Sequence, residues 1–110
     1  MYDAAMSRRT TQASPARTAA VEVLTRLAEA YPDLPLVEPD VDALDARDAR
    51  LAVAIHRTVV QRWLTLRSIL NTFLRQRLEQ LEPPLQAVLL AGAAQLVFMA
   101  RIPAYAVIDE

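Results

Sequence analysis

Between Pro83 and Pro103 the sequence reads PPLQAVLLAGAAQLVFMARIP, and before Arg101 only Gln86 and Gln95 interrupt its apolar run. A helix made of these residues is hydrophobic on almost every side and has to be buried all round. Proline in the first helical turn forfeits no hydrogen bond, and Pro103 pushes the residue before it out of helical geometry, so both ends are marked. Gly92, the only glycine in the chain, costs roughly 1 kcal/mol relative to alanine inside a helix. With Ala91, Ala93 and Ala94 it forms a smooth patch that lets a neighbouring helix approach closely. A membrane span is the rival reading, because the run comes close to the roughly 20 residues a bilayer requires. The two glutamines, the lack of a flanking aromatic belt and the amphipathic segments upstream favour a central core helix.

That helix needs partners, and the chain supplies helical ones. At 110 residues it is one domain at most, large enough to bury a modest core without disulfide or metal. Alanine and leucine dominate and glycine is nearly absent, which points to an all-α fold. Ser14 followed by Pro15 reads as a helix start, and Ala20, Val23, Leu24, Leu27 and Ala28 then recur at helical spacing, opposite Arg17, Glu22, Arg26 and Glu29. Tyr31-Pro32 ends this helix. Pro32, Pro35 and Pro39 leave room only for an extended loop, with Leu34, Leu36 and Val37 pinned on the core. A second helical stretch starts near Asp42 or Asp45 and carries Leu44, Leu51, Ile55, Val59, Leu66 and Phe73 along one face. It exceeds the usual length of about 8 to 20 residues, so a break is expected near Trp63 to Thr65, with Thr65 as the new cap. Leu78 and Leu81 punctuate a polar stretch from Arg75 to Glu82, and Tyr105 to Glu110 reads as the opening of a further helix. Residues 1–13 read as a flexible basic leader and 14–110 as the folded domain.

The chemistry on offer is narrow. There is no cysteine, so disulfides and thiolate chemistry are excluded. No Gly-rich phosphate loop, zinc-ligand spacing or nucleophile elbow occurs, and His56 alone makes neither a metal site nor a triad. Asp42, Asp45 and Asp48 are spaced by three, yet this is also what the capping of a helix start looks like. We therefore expect no catalysis, cofactor or metal. No signal peptide is visible behind Arg8 and Arg9, and a cytoplasmic location without membrane attachment is the default expectation.

Charge is polarised along the chain although the net value is only −1. Asp33, Glu38, Asp40, Asp42 and Asp45 crowd one loop, whereas Arg47 to Arg77 holds seven arginines against Asp48 alone. Arg47, Arg50 and Arg57 fall at helical intervals and suit phosphate contacts, joined by Arg8, Arg9 and Arg17 if the helices pack suitably. On periodicity alone the favoured reading is the solvated face of an amphipathic helix, which is what charge runs usually are.

The segments ARTAAVEVL, LDARDARLA and LEPPLQAVLLAGAAQLVFMARIPAYAVIDE, in this order and spacing, resemble the NusB-like domain. The version most similar is the RNA-binding domain at the N-terminus of RsmB-type ribosomal RNA cytosine-5 methyltransferases. The resemblance implies a helical bundle around a buried central helix. It also implies a role without catalysis, either in transcription antitermination or in positioning ribosomal RNA for a methyltransferase. The expected partners are ribosomal or nascent RNA and a small-subunit ribosomal protein of the NusE type. Arg17 falls on the family's N-terminal arginine, and Arg8 and Arg9 fall in its basic leader. Arg57-Thr58 stands where the family usually has Tyr-Gly, and Ala94 where it has an aromatic. The family's domain continues for two further helices after Asp109-Glu110, so the resemblance makes this bundle a shortened one. A parent protein of methyltransferase type would carry its catalytic cysteines elsewhere. The alternative is a helical protein-interaction module that has lost RNA binding and pairs, with itself or a partner, through an exposed apolar surface.

Overall fold

The computed structural model describes residues 14–99, and these form four α-helices with two short irregular turns and no strand. Helix α1 spans Pro15–Ala30, α2 Ala46–Gln61, α3 Trp63–Phe73 and α4 Pro83–Ala94. Ser14 accepts a hydrogen bond from the Arg17 N–H (3.1 Å), so α1 starts with the expected serine cap and proline. For α2 the cap is Asp45, whose carboxylate accepts from the Asp48 N–H at 2.8 Å. Asp40 closes the turn before it by accepting from the Asp42 N–H.

Helix α4 packs most extensively on α1, and α2 and α3 complete the enclosure. Leu24, Leu27, Ile55, Val59, Leu66 and Leu90 form the fully buried centre. Ala16, Ala19 and Ala52 make a second, smaller cluster where α1 and α2 meet. The two glutamines of the central stretch serve as polar pins. Gln86 is buried, with its amide nitrogen donating to the Leu81 carbonyl at 2.7 Å, and Gln95 accepts from the Arg17 Nε at 3.1 Å. Among the described residues no helix is long and apolar enough to cross a membrane.

Five expectations need correction. The central helix is buried on one side only: Leu85, Val88, Leu96 and Val97 are exposed, because no described element packs there. Val88, Leu96 and Val97, together with Phe73, border an apolar groove of about 350 Å³ between α3 and α4. Nothing lies within 4 Å of where a Gly92 Cβ would sit, so no described helix makes the close approach there. Replacing Gly92 by alanine should therefore stabilise the fold by about 1 kcal/mol, read as a raised urea midpoint. A lowered midpoint would mean that something sits against that face. The α-helix also ends earlier than expected, since Gln95–Met99 widens into a π-helical turn.

The break in the second stretch falls at Arg62, and Thr65 lies inside α3 instead of capping it. Arg62 adopts φ −116° and ψ 21° while its N–H still bonds Thr58 and its carbonyl still accepts from Leu66, so the break is a kink without a loop. That is why neither proline, glycine nor a side-chain cap is needed. In the loop after α1, Leu34 and Val37 pack on the core but Leu36 is fully exposed. The Val37 N–H bonds the Pro35 carbonyl (3.0 Å), and this three-residue turn throws its central residue outward. Leu78 is buried as anticipated, with its N–H held by Asn71 at 2.7 Å, and Arg67 and Arg77 both pair with Glu79 above it. Residues 100–110, where the closing helix was expected, lie outside the described residues.

Candidate nucleic-acid interface

Helix α2 has two opposed faces. Ala52, Ile55 and Val59 turn into the core, and Arg47, Arg50 and Arg57 are exposed. At 3.6 residues per turn Arg50 and Arg57 lie about 20° apart around the axis, with Arg47 about 60° beyond, roughly opposite the buried positions. The three guanidinium groups thus share one side of one helix. Among the described residues the ion pairs are Arg67 with Glu79 and Arg77 with Glu79, so none of the described carboxylates forms an ion pair with an α2 arginine. Charge left without a partner on an exposed ridge is available to phosphate oxygens, which arginine meets with paired donors.

Arg17 belongs to a different setting. It is exposed near the start of α1, and its bond to Gln95 ties it to the end of α4. Arg8 and Arg9 lie outside the described residues. The structure therefore brings together Arg47, Arg50 and Arg57, with Arg17 on a neighbouring helix.

His56, one position before Arg57, is half-buried beneath the loop. Burial lowers its pKa from the ordinary value of 6.5, an effect that Glu38 and the Val37 backbone oppose and Arg57 reinforces. A histidine that is harder to protonate when folded binds its proton first in the unfolded chain, so stability falls as pH drops below 6.5. Thermal unfolding across that range should show the decline, and His56→Gln should make it shallower. An unchanged profile in that variant would remove His56 as its source.

Sequence reasoning missed what gathers at the α2–α3 kink. Tyr31 stacks on the buried Trp63 with ring centroids 5.6 Å apart and planes 12° from parallel, and the Arg62 guanidinium lies 5.0 Å over the Phe98 ring. Beside them opens a cavity of about 420 Å³. The available signal was Arg62-Trp63 at the predicted break, but its partners Tyr31 and Phe98 are more than thirty residues away in either direction. Tyr31 itself reads locally only as a helix stop.

No curated protein and no solved structure matches the chain. A family model does match, that of the NusB family, over residues 14–110. With a four-helix core and most of its length matched, the chain belongs to the NusB family.

Proposed function

We propose that this chain is a non-catalytic RNA-binding domain of the NusB/RsmB type, holding ribosomal or nascent RNA on Arg47, Arg50 and Arg57 with help from Arg8, Arg9 and Arg17. The observation that carries this reading is the ridge of exposed α2 arginines, none of which forms an ion pair among the described residues. Family membership supports it. The biological setting is transcription antitermination or the positioning of ribosomal RNA for a methyltransferase in the cytoplasm, beside a small-subunit ribosomal protein. Methyl transfer is not assigned to this chain, which has no cysteine to serve as nucleophile.

Fluorescence titration with structured and single-stranded RNA at two salt concentrations tests the reading. Binding should weaken steeply with salt as released counterions are recaptured. Absence of salt-sensitive binding would reject it.

The groove between α3 and α4 supports a second reading, a protein-interaction module. Phe73 is 80% and Leu96 78% exposed, and apolar surface of this kind gathered in one patch marks interfaces. Light scattering separates the two: self-association that ends when Phe73 is replaced by serine favours the second, and a clean monomer speaks against pairing with itself.

A further inference from the structure

The cavity at the α2–α3 kink is large enough for a small ligand, within the roughly 300–1,000 Å³ typical of such sites. Its lining alternates in character. Tyr31 and Leu34 supply flat and apolar surface, Gln61 and Thr65 supply an amide and a hydroxyl, Arg62 supplies a guanidinium, and among the described residues no carboxylate lines it. Two of these groups are already held in place. Trp63, only 5% exposed, backs the Tyr31 ring, and the Phe98 ring lies against the Arg62 guanidinium. Ordering them on binding therefore costs little.

The cavity also connects to the arginine ridge. A smaller one of about 170 Å³, lined by Arg57 and by Glu38 beside His56, shares Val60 and Gln61 with it. Arg50, Arg57 and Gln61 follow one line along α2, since steps of seven and four residues return to nearly the same angle. A chain of phosphates laid on that line ends at the cavity mouth.

The geometry points to a binding site for one unstacked base of a single-stranded RNA in this cavity, an inference that rests on the RNA-binding reading above. Single-stranded bases stack on aromatic rings and guanidinium planes, and their edges take hydrogen bonds from amides and hydroxyls. A duplex keeps its bases stacked and offers none to such a pocket. An apolar peptide anchor is better served by the α3–α4 groove, whose lining has no polar side chain.

Trp63 is the only tryptophan, so the cavity carries its own fluorophore. The whole chain is titrated with a short oligouridine and with an abasic ribose-phosphate strand of equal length and charge, following strand anisotropy and Trp63 emission. Stacking contributes about 1–3 kcal/mol per base, so oligouridine should bind about five- to a hundredfold more tightly and should alone change the Trp63 emission. Tyr31→Leu and the exposed Arg62→Gln should each lose most of that difference. If both strands bind alike with full salt sensitivity, the base site is overturned and the RNA-binding reading stands. If neither strand binds, both fall.

Discussion

Truncating Leu90 to alanine is expected to remove about 2–5 kcal/mol of folding stability, the range for buried leucines whose surroundings relax only in part. Leu90 has no exposed surface and sits where α4 meets the rest of the core. A domain of this size has roughly 5–15 kcal/mol to lose, so the variant should be largely unfolded at moderate urea. Leu96→Ala is the informative comparison. It removes the same atoms from a residue six positions later, in the π-helical turn that follows α4, that is 78% exposed, and should cost no more than about 0.5 kcal/mol. Equal losses at the two positions would mean that the exposed side of α4 and the π-helical turn continuing it is covered, and the division of that central stretch into a dry and an open side would be wrong.

That division shows where the sequence was legible and where it was not. The caps at Ser14 and Asp45, the inward row of α1 and the burial of Leu78 depend on neighbours within a turn or two, and each is readable from local pattern. Apolar character alone gave no face to α4, because a residue such as Val88 looks the same whether or not another element lies on it. Leu36 and Leu34 are chemically identical, and only a backbone turn centred on Leu36 separates the exposed one from the pinned one. The arginine ridge was legible in its spacing, since helical periodicity fixes the relation of Arg50 to Arg57. What periodicity does not contain is the identity of long-range partners. Arg62 lies on Phe98 and Arg17 on Gln95, whereas Arg47, Arg50 and Arg57 have no acidic partner among the described residues.

The second large effect follows from that difference. Replacing Arg47, Arg50 and Arg57 together by alanine should weaken RNA binding by about ten- to a hundredfold at low salt, taking roughly 0.5–1 kcal/mol for each exposed contact between opposite charges. Stability should hardly change, because the three side chains are exposed and bear no ion pair among the described residues. Arg67 and Arg77 supply the control. They are engaged with Glu79, and their replacement should leave the affinity much nearer to that of the unaltered chain. A triple variant that binds as before, or one that fails to fold, would each contradict the assignment of these arginines to an outward, ligand-facing role.

Affinity alone does not say that phosphates are the groups being met, but its dependence on salt does. Each phosphate contact on a single strand contributes about 0.7 to the slope of log K against log salt concentration. The decisive measurement is that slope for single-stranded RNA, taken for the unaltered chain and for the α2 triple variant. The account predicts that the variant's slope is shallower by roughly 2, three contacts' worth. Parallel lines for the two proteins, or a flat line for the unaltered one, would contradict it.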